Sequence, residues 1–459
     1  MNSVPQLKTG EQLRFPRTVA NGIGTNGLLR APVAELPGLS RLIPIGYSFA
    51  DQVLAVGANF LANVMLARTQ TKEQYGMFAL SYSIFIFLSG LHNAAIVEPY
   101  TVYGSGRYRD RFSEYLRLMV RVNALFGLLL TMLALLVCLG LYWAAPQLVS
   151  PALLGLGVTV GVLLSGIFMR RVFYLQRKPA FAAQSSLICF VTVASALWFV
   201  AKAHLLNGFS VFLILAMGWI AAGLGLGRKV ARGYPTQSFL DSEPSYWNEH
   251  WKYSKWVLST AFVFQLTTQG YYWIVAGFLS VKEVAELRVM QMLVSPIDQV
   301  FIALSFLVMP ALAARYASKR LGSFLSFAKR YGLAVVSATA LFALAVRITG
   351  RPVMHWLYAG KFDDLAHTLY ILAFLPLVMG IGNVMSNALN AAEKPKLVFY
   401  AYLCSGAATL FGGISLVIHF GLRGAVFGLL LSAASYTGAM GLGFFFNFCR
   451  QPFQSVIPD

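Results

Sequence analysis

Arg288, Gln291, Ser295 and Asp298 stand at offsets 0, 3, 7 and 10, which places all four on one face of a helix. A guanidinium can grip phosphate oxygens in pairs, while an amide and a hydroxyl bond the groups around them. Such a stripe suits the capture of a polar, anionic head. The segment that carries it, 284–312, is otherwise apolar. An ionisable side chain inside an apolar span costs about 2.5–3.5 kcal/mol on insertion scales, so it faces a cavity or a partner. Arg288 starts about one turn from the end of its segment, so two readings stand: a cavity-facing phosphate contact, or a side chain snorkelling to the interface. Pro296, in the same segment, removes a backbone donor and predicts a kink of the kind that walls or gates a cavity.

A second stripe is made by Asp51, Asn59 and Asn63, spaced by eight and four, with Gln52 beside the first. Asp51 lies near the end of its span, where it either joins a gate or pairs with a neighbouring Arg. Glu98 is followed by Glu114, Arg117 and Arg121 at i,i+3 and i,i+4 spacing; with Arg107, Arg109 and Arg111 they predict a charged mouth to the first half of the chain. Gln265 and Gln269, and Asn383, Asn387 and Asn390, form further polar stripes that interhelical hydrogen bonding explains as well as substrate contact does. The candidates for substrate contact are Arg288, Gln291, Asn59, Asn63 and Gln269. Those for gating or coupling are Asp51, Gln52, Glu98, Arg117, Arg121, Pro296 and Asp298.

Catalytic signatures are missing. The sequence has no phosphate-binding G-x-x-x-x-G-K-[ST], no H-E-x-x-H, no G-x-S-x-G and no paired His and carboxylate on one span. Cys138, Cys189, Cys404 and Cys449 fall in or at the end of apolar stretches without metal-ligand spacing. Gly22–Gly27 spells G-x-G-x-x-G, but no strand precedes it and no βαβ pattern follows. The expectation is a transporter rather than an enzyme, with no metal and no cofactor.

The elements that must position these residues are apolar runs. With 58% hydrophobic residues, 12% charged residues and a mean hydropathy of +0.65, the chain reads as an all-α integral membrane protein. Twelve transmembrane helices are expected, at about 45–67, 74–97, 115–143, 148–169, 180–201, 205–227, 254–279, 284–312, 325–346, 366–391, 397–418 and 424–448. Of the 36 Lys and Arg residues, 27 fall in the N-terminal tail, the even-numbered connections with their edges, and the C-terminus. The positive-inside rule then predicts that both termini are cytoplasmic. The same placement assigns the net charge of +19 to topology and anionic lipid, not to nucleic acid.

The longest internal polar stretch separates two sets of six spans. This predicts two six-helix lobes, 45–227 and 254–448, around a central cavity, joined by a cytoplasmic linker at 228–253. Residues 1–44, polar and holding five prolines, read as a disordered cytoplasmic tail, and 449–459 as a second tail. Thr71-Lys72-Glu73 after the first span is echoed by Val281-Lys282-Glu283 after the seventh, as in a parallel repeat. The connections on the other face are too short to hold a catalytic domain.

Asp51-Gln52, Asn59-Phe60, Leu66-Ala67-Arg68, the run Gln74 to Leu80 and Glu98-Pro99 resemble the opening of the Wzx-type polysaccharide flippases of the multidrug/oligosaccharidyl-lipid/polysaccharide (MOP) superfamily. Leu287 to Gln291 with Pro296, Met309 to Leu312, and Leu357 to Lys361 are similar to its second half, so the resemblance spans about 43–448. It implies two lobes about a cationic cavity that move polyprenyl-diphosphate-linked oligosaccharide across the bacterial inner membrane for surface or exopolysaccharide synthesis. It further implies Arg288 as a headgroup contact, Asp51, Gln52, Asn59 and Glu98 as cavity or gate residues, and membrane lipids, a glycan polymerase and export machinery as partners. A cation-coupled multidrug antiporter of the same superfamily is the alternative, and Asp51 and Asp298 are the acids it would use.

Overall fold

In hydrocarbon each backbone N–H and C=O must be bonded within the chain, and a long apolar run does so by coiling into a helix. The computed structural model describes residues 39–106, 108, 111–146, 149–231, 245–318 and 320–448, and among these there is no strand. By backbone contacts the chain divides into Met1–Gly46 and Tyr47–Asp459. Of the first unit, residues 39–46 are described and are helical.

The helices are α1 (Leu39–Thr69), α2 (Lys72–His92), α3 (Glu98–Ser105), α4 (Phe112–Ala144), α5 (Pro151–Leu175), α6 (Pro179–Lys202), α7 (Gly208–Ala231), α8 (Ser245–Phe278), α9 (Val281–Val294), α10 (Pro296–Ala317), α11 (Leu321–Tyr358), α12 (Ala366–Leu372), α13 (Leu375–Ala391), α14 (Pro395–Ala407) and α15 (Ile414–Phe448). Turns of π-helix, Asn93–Val97 and Ala408–Gly413, join α2 to α3 and α14 to α15. Each of the twelve expected spans has a helical counterpart. Among the described residues nine segments are long and apolar enough to cross a membrane, the last of them, Pro395–Phe448, taking in two expected spans. Those two arms meet at Gly421, whose φ of 59° and ψ of −137° break the helix and suit a residue without Cβ.

The segments that fall outside the nine are α8 and the α9–α10 pair, the seventh and eighth expected spans. Gln265 and Gln269 lower the apolarity of α8, and α9, with 14 residues, is too short to cross alone. The eighth is not one bent helix but two, divided at Ser295, with Pro296 opening α10 where its missing N–H costs nothing. At the rims, Trp143, Trp198 and Trp356 are 79%, 50% and 72% exposed, as ring side chains at a lipid–water boundary are.

Two helix sets emerge from the packing. In one, α4, α5, α6 and α7 pack together with α2; in the other, α10, α11, α13, α14 and α15 do. Between the sets, α2 lies against both α8 and α9. The sequence echo has a structural counterpart here: Thr71 caps α2 by accepting from the Gln74 N–H at 3.2 Å, and Ser280 caps α9 by accepting from the Lys282 N–H at 3.2 Å. The approach is closest at Gly76, where a Cβ would stand 1.9 Å from the Val281 carbonyl oxygen. No side chain fits there unless α2 and α9 move apart.

Two boundaries differ from the sequence reading. α1 begins at Leu39, inside the expected tail 1–44, and α7 and α8 reach Ala231 and back to Ser245, inside the expected linker 228–253. The rest of both segments, and the tail 449–459 with Cys449, lie outside the described residues.

Candidate functional site

A cavity of about 500 Å³ is enclosed by α1, α2, α8, α9, α10 and the α12–α15 region, and Asn59, Asn63, Gln269, Arg288, Gln291 and Asp298 line it. Residues from four separate helices thus converge, as the stripes predict. Arg288 does not snorkel. Its guanidinium carbon lies 4.7 Å over the Tyr82 ring and 6.0 Å from that of Tyr272. Its Nε donates to Asn63 Oδ1 at 3.3 Å and one Nη to the Tyr272 hydroxyl at 3.4 Å. Aromatic faces hold a cation without neutralising it. No carboxylate lies within 4.0 Å of it among the described residues. The guanidinium thus places a positive charge at the cavity wall.

Its neighbours are held for that role. Tyr272 donates from its hydroxyl to Gln291 Oε1, and Tyr75 donates to Asn63 Oδ1 at 3.4 Å and to Met292 Sδ at 3.6 Å. Asn59 and Asn63 spend their N–H groups on the carbonyls of Ala55 and Asn59, one turn back. Gln269 Oε1 is buried with no hydrogen-bond partner among the described residues. Asp298, in the first turn of α10, is exposed at the cavity wall, and its side chain has no partner among the described residues. Beyond it the wall turns aromatic: Phe264 meets Tyr402 edge-on with centroids 5.3 Å apart, and Tyr402 stacks on Tyr436 at 4.8 Å. The cavity therefore has a cationic end on α9 and an aromatic end on α8, α14 and α15.

Asp51 does not line this cavity. It is fully buried, gripped by Arg170 through Nε at 3.0 Å and Nη at 2.6 Å, by the Tyr174 hydroxyl at 2.6 Å and by the Ser186 hydroxyl at 2.5 Å. Arg170 also donates to Gln52 Oε1 at 3.2 Å, and Gln52 Nε2 donates to Gln299 Oε1 at 2.8 Å. A chain of polar contacts thus runs from α6 and α5 through α1 to α10. Arg170, Tyr174 and Ser186 were missed in the sequence. Their signal was the i,i+4 pair Arg170/Tyr174, which the count of loop cations absorbed.

Other expected site residues are dispersed. Glu98, in the first turn of α3, accepts from the Tyr253 hydroxyl at 3.3 Å and lies against α8, outside the cavity lining. Arg117 is half-buried and Arg121 exposed on α4, which packs on α3 and α5; neither lines the cavity. Arg107 and Arg109 lie outside the described residues. The asparagine stripe of α13 is spent on packing: Asn387 donates to Ser305 Oγ at 3.0 Å, and Asn390 to Ser386 Oγ at 3.4 Å.

Contacts tie helices together on the side of the odd-numbered connections. Ala359 and Gly360, at φ 52° and 78°, turn the chain so that Lys361 Nζ donates to the carbonyls of Arg68 at 2.7 Å and Gln70 at 2.9 Å, at the end of α1. A cation there meets the negative end of the helix dipole. Lys72 pairs with Glu286 of α9 at 2.8 Å and reaches Asp364 at 3.8 Å. Among the described residues no cluster of three or more His, Cys, Asp or Glu could hold a metal ion.

No family model matches the chain. No curated protein matches it. Solved structures do. A multidrug resistance MATE family transporter of the MOP superfamily, in an inward-facing conformation, aligns at a TM-score of 0.67 and 12% identity over 87% of this chain and 94% of its own. A MOP superfamily transporter from Pyrococcus furiosus, described as having a binding pocket of reversed polarity, aligns at 0.64 and 11% over 89% and 94%. A Vibrio cholerae MATE transporter aligns at 0.59 and 17% over 89% and 96%. The chain therefore has the all-α, two-lobed fold of MATE transporters of the MOP superfamily. At these identities the likeness is one of fold.

Proposed function

We propose that this protein is a bacterial inner-membrane flippase that carries polyprenyl-diphosphate-linked oligosaccharide outward by alternating access. The observation that carries the reading is Arg288: a guanidinium held on tyrosine faces at the cavity wall with no carboxylate to neutralise it. A diphosphate cannot enter hydrocarbon unaided, but it can exchange its water for such a charge while its tail stays in lipid. In the orientation that the charge count predicts, the odd-numbered connections are external, and the contacts of Lys361 and Lys72 tie helices together on that side. On this reading cargo would enter from the cytoplasmic leaflet. Rocking of one lobe against the other would carry it out.

The second reading, a cation-coupled multidrug antiporter, has the open carboxylate of Asp298 in its favour. Asp51 speaks against it, because Arg170 already supplies the cation that such a site would bind and release. The test is deletion of the gene followed by mass spectrometry of the lipid fraction. A polyprenyl-diphosphate oligosaccharide is expected to accumulate while surface glycan is lost, with both reversed by wild type and not by Arg288→Ala. Unchanged lipid intermediates together with raised drug sensitivity would transfer the assignment to the antiporter.

A further inference from the structure

A second cavity, of about 450 Å³, lies between α12 and the Gly421 reversal of α15, and its charged lining consists of His367 and Arg423. Its walls are apolar: Ile371 with Phe420 and Phe427, the latter two 61% and 41% exposed. Cations on the odd-numbered connections are few, and four of them are engaged. Lys72 is paired with Glu286, Lys361 holds carbonyls, Lys202 lies 4.1 Å over Trp198, and Arg347 lies 4.5 Å over Tyr370. Arg423 is exposed and has no ion pair, hydrogen bond or ring contact among the described residues. His367 meets the Tyr370 ring edge-on at 5.9 Å, and His367 and Arg423 are the two basic groups that line the apolar hollow.

We propose that this hollow binds an anionic phospholipid of the leaflet on that face. Arg423 and His367 would donate to the phosphate, and the acyl chains would lie along Phe420 and Phe427. The apolar, exposed walls select a lipid over a free anion, because a soluble phosphate gains nothing from covering two phenylalanines. A cation on this face runs against the charge rule, and contact with an anionic headgroup offsets that placement. The inference is independent of the cargo carried by the central cavity.

The full chain, purified in detergent, would be offered phosphatidylglycerol or phosphatidylcholine of the same acyl chains, and bound lipid read by native mass spectrometry. Preferential retention of phosphatidylglycerol is expected, reduced about tenfold by Arg423→Ala or by His367→Gln, as fits loss of one charge-assisted hydrogen bond. Both substitutions together should abolish the preference. Lys202→Ala, which removes a cation of the same face elsewhere, should leave it intact. Equal retention of the two lipids, full retention by the double variant, or an equal loss with Lys202→Ala would overturn the proposal. So would displacement of the lipid by glycerol phosphate at the same concentration, which would make the hollow a site for the free anion.

Discussion

Arg170 and Arg288 both lie within the helical body, yet their surroundings differ. Arg170 is closed on itself, two of its nitrogens on Asp51, which is buried with further bonds from Tyr174 and Ser186. Arg288 is steadied by two tyrosine faces and an asparagine and has no carboxylate within 4.0 Å among the described residues. A saturated ion pair has little left to offer a ligand, and its presence is consistent with holding helices in register. An unsaturated cation at a cavity wall is a binding group waiting for an anion. The contrast separates an arginine spent on a buried acid from one left facing the cavity.

The largest effect expected is that of Arg288→Ala. Losing two charge-assisted hydrogen bonds to phosphate, about 3 kcal/mol, should lower glycan export about a hundredfold with normal membrane insertion. Arg288→Lys, which keeps the charge but not the fork, should lower it about tenfold. Full export by Arg288→Ala would erase the distinction between the two arginines. Arg170→Ala should act on stability instead, by about 3 kcal/mol, because it strands a fully buried Asp51, and this is measurable as a lower thermal midpoint. The double variant Asp51→Leu with Arg170→Met should recover most of that loss and export near the wild-type rate. A stable double variant that exports nothing would show that the pair does more than build. Asp51→Asn should cost less than Asp51→Leu, since Tyr174 and Ser186 can still bond an amide.

Smaller effects sharpen the comparison. Lys361→Ala frees the end of α1 on the side of the odd-numbered connections, and labelling of a Ser295→Cys reporter from that side should rise about fivefold. Unchanged labelling would mean that access there rests on α2 and α9 alone. Gln299→Ala removes one neutral hydrogen bond from Gln52, about 1 kcal/mol, and should change export by no more than about fivefold.

The legibility of the sequence divides along the same line. Alternating cations and apolar runs gave the helices, Pro296 read as a kink where the structure has a break before α10, and Arg288, Gln291 and Asp298 line one cavity from two helices, not from one. Those are local signals. The Asp51–Arg170 pair joins residues 119 apart, and Arg170 stood where a loop cation was already expected. Arg117 and Arg121 share a helix face, but spacing does not say which neighbour that face meets, and α4 turns out to pack on α3 and α5. Tyr82 and Tyr272 were silent because an aromatic ring in an apolar span reads as packing until a guanidinium is found over it.

Gly76 gives the molecule a dial. A methyl group at that position collides with the Val281 carbonyl only while α2 and α9 touch. It costs nothing in a conformation where they part. The whole penalty of Gly76→Ala would therefore appear as time spent with the opposite side open, at a rate of tenfold in occupancy for about each 1.4 kcal/mol. One carbon atom would reset the resting balance of the transport cycle without touching a single residue that meets the cargo.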